Sequence, residues 1–275
     1  MPTHTDTAPF TAAWEQWHAA HERQRANPHG FLAVSHLHWL TSSAVRLAGA
    51  PGRWSVEGDS VRILLTAGES LQRDGQELNP EDGTTIGFGP IEERGGIDLT
   101  AGSSVIEVAK RGGRYIVRPR NPANGLLRNY RGTPTYAPDP GFAVAGAFVP
   151  FHAPRPTTVG AVVEGVQHVY EAPGEIRFEL AGRKLTLTAF NGHAPGSLSV
   201  LFTDRTSGRT TYAANRSLSV VPAADGSVQL DFNRAVNLPC AYTDLATCPL
   251  PPAENRLPVA VEAGEKIPYE REDQQ

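Results

Sequence analysis

The chain has 275 residues, 40% of them hydrophobic and 20% charged, with a formal net charge of -4, a length that suits one large β domain or two ordinary domains with a real core. No apolar run reaches the roughly 18 residues of a membrane span, and the start, MPTHTDTAPFTAAWEQW, lacks a basic stretch followed by an apolar core, so no membrane partner or secretion leader is read and a cytoplasmic setting is expected. The basic residues are scattered arginines with only three lysines, without the clustered stripe of a nucleic-acid binder, so no nucleic-acid partner is expected.

Phe10, Trp14, Trp17 and His21 recur at helical spacing and predict one amphipathic helix within residues 1–28, its aromatic stripe laid over the body of the protein. From Gly30 onward the period changes to two. Strands are expected near Arg53 to Val56, Ser60 to Leu65, Ser70 to Arg73, Ile97 to Thr100, Ser104 to Ala109 and Arg114 to Arg118. A second series is expected near Phe142 to Phe148, Thr157 to Glu164, Gln167 to Glu171, Glu175 to Leu180, Lys184 to Phe190, Ser197 to Thr203 and Ser227 to Phe232. The clearest hairpin turns through Ala181-Gly182-Arg183. Many short strands with almost no second helix indicate a mainly β fold, an antiparallel barrel or sandwich, with a proline-rich C-terminal flap. One β domain is expected over 29–266, with an alternative junction in the Pro-, Gly- and Asn-rich stretch 119–141, and 267–275 as a frayed tail.

The chain contains no GxGxxG opening a helix, no GxxxxGK[ST], no HExxH and no GxSxG, so no cofactor is named and no metal is assigned. His36 and His38, two apart on an extended chain, point to one face, a spacing that metal sites use but that a residue pair beside a core also gives. Cys240 and Cys248 leave open a metal site completed from upstream, a thiolate nucleophile at Cys240, or two buried thiols, while a disulfide between them is geometrically possible but disfavoured in a reducing setting. In LFTDRTSGRTTY, Asp204, Thr206, Ser207 and Tyr212 follow an apolar strand, where a loop presents groups to a cleft or an Asx turn satisfies its own backbone. The acids to watch near the C-terminus are Asp231, Glu254, Glu262 and Glu265.

The strings FTDRTSGRTTY, VQLDFNRAVNLPCAY and CPLPPAENRLPVAVEAGEK resemble a bacterial and archaeal family, the domain of unknown function 1684, over about residues 100–266 and including KRGGRYIVRPRN. The resemblance brings no reaction with it. It implies that the matching positions are the ones to examine, among them Asp204, Thr206, Ser207, Tyr212, Asp231, Asn233, Arg234, Asn237, Cys240, Glu254, Asn255, Arg256 and Glu265. The chain departs from the pattern at Asn215-Arg216-Ser217-Leu218, where the family has Gly-Arg, an aromatic residue and Leu, and at NRAVNLPC, where it has NRAYNPPC.

The segment 231–258 carries five prolines, which keep an irregular loop stiff because each fixes φ and lowers the entropy lost on ordering. Its polar side chains either bond one another and the flap's own backbone, or converge with the 204–212 turn on a ligand. In the second reading Arg234 and Arg256 are anion-binding forks, Asp231 and Glu254 the acid and base, Cys240 or Ser207 the nucleophile, and Asp204, Thr206, Tyr212, Asn233, Asn237 and Asn255 the remaining ligand-binding groups. Three function classes stay open: an enzyme acting on a small anion (a hydrolase, for want of cofactor motifs), a non-catalytic small-molecule binder, and an interaction protein. Oligomeric state is not legible.

Overall fold

The computed structural model describes residues 7–78 and 85–272. They form a mainly β protein of antiparallel sheets that divides into two compact units, one drawn from Met1–Glu22 and Gly132–Gln275, the other Arg23–Arg131. The division falls inside the 119–141 connection. Among the described residues no sheet closes into a ring, so a barrel is not seen. No described helix is long and apolar enough to cross a membrane.

The unit Arg23–Arg131 holds β1 (His38–Trp39), β2 (Val45–Leu47), β3 (Ala50–Glu57), β4 (Ser60–Leu64), β5 (Gln72–Arg73), β6 (Gln76–Glu77), β7 (Thr85–Phe88), β8 (Gly96–Ala101), β9 (Ser104–Arg111) and β10 (Arg114–Arg120). They make a six-stranded sheet, β1-β10-β9-β8-β5-β6, and a four-stranded sheet, β2-β3-β4-β7. Trp54 and Ile63 of the smaller sheet and Leu99, Ile106 and Val108 of the larger are fully buried in one shared core. The period of two in β4 thus buries one face, as alternation in a strand requires, whereas β9 is buried on both faces from Ile106 to Ala109. His36 and His38 stack on each other at 5.4 Å and bond to Ser35 and the Ala48 carbonyl.

In the other unit, the part of α1 (Ala8–Arg25) up to Glu22 enters the packing through its expected stripe. Trp14 is buried and its indole donates to the Asn233 carbonyl at 2.8 Å, Trp17 lies under the Arg234 guanidinium, and His21 approaches Glu265 at 3.4 Å. The body is one seven-stranded sheet of β11 (Ala143–Gly160), β12 (Gln167–Leu180), β13 (Arg183–Asn191), β14 (Leu198–Phe202), β15 (Arg216–Val220), β16 (Ser227–Asp231) and β17 (Val236–Asn237), in the order β16-β11-β12-β13-β14-β15-β17. The hairpin between β12 and β13 pairs Leu180 with Arg183, leaving Ala181 and Gly182 as a two-residue turn with φ of 52° and 70°. Both values are positive, as the hairpin turn that matches strand twist demands.

Two strands expected at Gln167 to Glu171 and Glu175 to Leu180 are one strand, despite Pro173 between them. Proline cannot donate to a ladder. Here it need not: β11 pairs Pro150 with Gly174 and Arg155 with Ala172, shifting register between them, and pairing with β13 begins only at Gly174. Pro173 therefore sits where neither neighbour uses its nitrogen. The expected frayed tail differs also: Tyr269–Glu272 form a short helix and Arg271 pairs with Asp244 at 2.6 Å, while 273–275 lie outside the described residues.

Glu107, 6% exposed, supports the first sheet pair by taking Arg118 in two hydrogen bonds of 2.6 and 2.9 Å and Arg120 in one of 2.6 Å. Burial raises its pKa, but the two guanidiniums overcome this and hold it at about 2. A carboxyl depressed from about 4.3 in the unfolded chain stabilises the fold above that pH and ceases to do so as pH falls toward 2. The Glu107→Gln variant is therefore expected to be less stable than the parent at pH 7 by about 3 kcal/mol. The gap should close between pH 4.5 and 2, read from urea midpoints across that range.

Candidate functional site

The site begins with an extended segment that has no ladder of its own. From Asn255 to Ala263 burial alternates: Asn255, Leu257, Val259, Val261 and Ala263 are buried, and Arg256, Pro258, Ala260 and Glu262 are exposed. The four apolar residues complete the core formed by Phe202, Leu218, Leu230 and Phe232. The flap was expected to be irregular here; it has a strand's alternation, and its backbone groups are satisfied largely by the chain after β14 and by side chains.

At its start, the Thr203 amide donates to the Asn255 carbonyl at 3.1 Å and the Leu257 amide to Thr203 at 2.8 Å, so the two segments run parallel. The Asn255 amide group donates to the Thr188 and Leu201 carbonyls at 2.9 and 2.8 Å and accepts from the Thr188 amide at 2.8 Å. Further along, the Asp204 carboxylate, with no exposed side-chain surface, accepts from the Val261 amide, the Thr206 amide and the Thr206 hydroxyl, and pairs with Arg216 at 2.9 Å. Arg216 is 1% exposed. It donates to the Val261, Ala263 and Glu265 carbonyls, and its guanidinium lies 5.3 Å from the Phe202 ring. Burial pushes its pKa down while Asp204 pushes back.

The end of the segment turns at Gly264, whose φ is +75° and where a Cβ would stand 2.5 Å from the Ala235 carbonyl. Only glycine fits such a position. The turn delivers Glu265, 2% exposed, to the Asn237 amide at 2.6 Å and to the Tyr242 hydroxyl at 3.4 Å.

With inward side chains pinned in this way, the outward ones meet at the surface. Thr203, Asp204, Arg205, Ser207, Arg209, Ala213 and Arg256 line an open cavity of about 570 Å³. Arg205 sits between inward Asp204 and Thr206, Arg256 between inward Asn255 and Leu257, and Arg209 in the turn whose amides at Arg209, Thr210 and Thr211 all donate to the Thr206 carbonyl. Among the described residues none of the three guanidiniums has a carboxylate within 4 Å. Asp204 contributes no charge to the wall, since its carboxylate faces Arg216.

Of the residues expected at a site, Asp204, Ser207 and Arg256 come together here; Arg205 and Arg209 join them unforeseen. Ser207 accepts from the Asp204 amide at 3.1 Å, the hydroxyl turn its sequence allows. Thr206 points inward to Asp204 and Thr211. Glu254 accepts from the Thr188 hydroxyl at 2.9 Å and is absent from the cavity wall, as is Asn255. Asp231 and Asn233 are not at the cavity: Asp231 caps the turn Phe232–Arg234 and pairs with Arg234 at 3.2 Å, while Asn233 exchanges two hydrogen bonds with the Asp139 backbone. Arg234 is thus neutralised within its own turn. Asn237 donates to the Lys266 carbonyl at 2.7 Å.

Cys240, 1% exposed, is buried beside Cys248 and Ala246 with Tyr212 and Leu238 packed against them, so neither Cys240 nor Tyr212 faces the cavity. A hydrogen bond with Cys248 lowers the Cys240 pKa, and burial, with Cys240 beside it, raises that of Tyr212. Among the described residues no three His, Cys, Asp or Glu side chains gather as a metal site.

Inward and outward positions differ in what they are worth. Arg216→Ala leaves a buried carboxylate without its cation and should cost about 3–5 kcal/mol. Arg256→Ala removes an exposed side chain and should cost less than about 0.5 kcal/mol. Urea unfolding of both variants checks the contrast.

The family model for "Protein of unknown function (DUF1684)" matches residues 128–266. The match covers the second sheet and the flap but begins after KRGGRYIVRPRN. An uncharacterised protein of Haloarcula marismortui, known from a solution NMR structure, is 31% identical over 50% of this chain and 78% of its own, with a TM-score of 0.43. None of the curated proteins matches. Matched over half its length, including the turn, the buried Asp204–Arg216 pair and the flap that forms the cavity, the chain belongs to the DUF1684 family.

Proposed function

We propose that the protein binds a small anion, a carboxylate or a phosphate, in the cavity walled by Arg205, Arg209 and Arg256, and that it does so without catalysing a reaction. The observation that carries this reading is the state of the arginines. Others in the same unit are committed to acids: Arg216 to Asp204, Arg234 to Asp231, Arg271 to Asp244, Arg177 to Glu175. The three at the cavity have no acid within 4 Å among the described residues, yet share one concave wall. Like charges around a concavity repel, and an oxyanion that takes paired guanidinium hydrogen bonds relieves that repulsion. The volume suits a small molecule.

Support for an enzyme is weaker. A nucleophile needs a base within hydrogen-bond reach. Ser207 is on the wall, but no histidine lines the cavity, the neighbouring Asp204 carboxylate is buried against Arg216, and Glu254 is bonded to Thr188.

Calorimetric titration with inorganic phosphate and with citrate at low salt tests the proposal. Binding is expected, weakened about tenfold or more by Arg209→Ala or Arg256→Ala, because a hydrogen bond to a charged group is worth about 1.5–3 kcal/mol. Arg234→Ala, removing the arginine over Trp17, should leave affinity unchanged. Absence of binding, or equal affinity in the cavity variants, overturns the reading.

A further inference from the structure

We infer that the anion taken by this site carries an apolar body, a short alkyl or acyl chain, laid in a groove that continues from the arginine cavity; this rests on the anion-binding reading above. The groove has a volume of about 520 Å³ and is walled by Ala213, Ala214, Leu250, Pro251, Pro252 and Ala253. It shares Thr203, Ala213 and Arg256 with the arginine cavity, so the two meet at the Arg256 side chain. Apart from that guanidinium, no charged residue lines it.

The chemistry changes abruptly across Arg256. On one side an oxyanion finds three guanidiniums and a serine. On the other, apart from Thr203 where the two cavities join, the wall is alkyl side chains and pyrrolidine rings, and a polar ligand group placed against them would lose water without compensation. An alkyl chain has nothing to lose and gains by leaving water.

The groove is also preformed. Pro251 and Pro252 fix their own φ angles. The stretch is tied at both ends: the Leu250 amide donates to the Gly160 carbonyl at 2.7 Å, the Asn215 amide group to the Pro249 carbonyl at 2.6 Å, and the Asn255 amide to the Pro252 carbonyl at 2.9 Å. A rigid wall orders little on binding, so more of the apolar gain appears as affinity. The three alanines leave this part of the wall without bulky side chains.

The test uses the full chain and a series of methyl, butyl, hexyl and octyl phosphate below their micelle concentrations, followed by calorimetry. Affinity is expected to rise along the series by up to about fourfold per methylene, and Ala253→Trp, which fills the groove, should flatten that rise. If methyl phosphate binds through Arg209 and Arg256 but octyl phosphate binds no tighter, the apolar body is refuted while the anion site stands. If none of the phosphates binds, both readings fall. A rise that persists in Ala253→Trp places the chain elsewhere and overturns the inference. So does Arg256-dependent binding to phosphatidylglycerol vesicles without any chain-length gain for the soluble phosphates, which would identify a membrane surface as the ligand.

Discussion

The buried pair between Asp204 and Arg216 is the interaction on which the C-terminal half of this protein depends. Residues 255–263 bury every second side chain, as an edge strand would, yet lie outside the named strands of the sheet. Backbone amides and carbonyls removed from water need partners. Asp204 supplies an acceptor for Val261, and Arg216 supplies donors for the carbonyls of Val261, Ala263 and Glu265. An isolated buried charge costs several kcal/mol. Here each ion offsets the other's desolvation, and together they perform the hydrogen bonding of a missing strand. Of the pair's own nitrogen and oxygen atoms, it is the Arg216 Nε that lacks a hydrogen-bond partner among the described residues.

The same arrangement shapes the candidate site. Two extended segments run parallel at Thr203 and Arg256, each with its inward residues held by several hydrogen bonds. Alternation then sends Arg205 and Arg256 to the other side, from backbones with little freedom to move. Arg209 follows from the compact turn that Thr206 closes. Guanidiniums presented from rigid backbone lose less entropy on gripping an oxyanion than those on a mobile loop. Most of the flap's polar groups are therefore structural, and they define the few that face outward.

Local signals were legible where they concerned local physics. The aromatic stripe of α1 and the Ala181-Gly182 hairpin follow from helical spacing and turn chemistry, and both are present. The flap misled for a specific reason: prolines at 249, 251, 252 and 258 and the short turn Ala253–Asn255 mask the alternation of Leu257, Val259, Val261 and Ala263. β15 was unforeseen because only Leu218 and Val220 make its apolar face, the third inward residue is an arginine, and Ser217 and Ser219 occupy the outward positions. Asp231, Glu254 and Cys240 drew notice as chemical groups, but type alone does not distinguish a catalytic carboxylate from a cap. Arg205 and Arg209 lie in the same string as Asp204 and Ser207, and their residue type alone does not set them apart from the ion-paired arginines.

From the order of its residues alone, this protein declares a β-rich fold with one amphipathic helix, a stiff proline-rich C-terminal segment and a family signature, since these depend on periods, turn residues and composition that act over a few positions. Which arginine is buried and which is free was decided only by the tertiary structure. Arg216 and Arg256 are chemically identical, and their roles differ because one lies where a carboxylate and three carbonyls from distant parts of the chain converge, while the other projects from the opposite face into water. That difference arises from long-range packing, and no property of either residue encodes it.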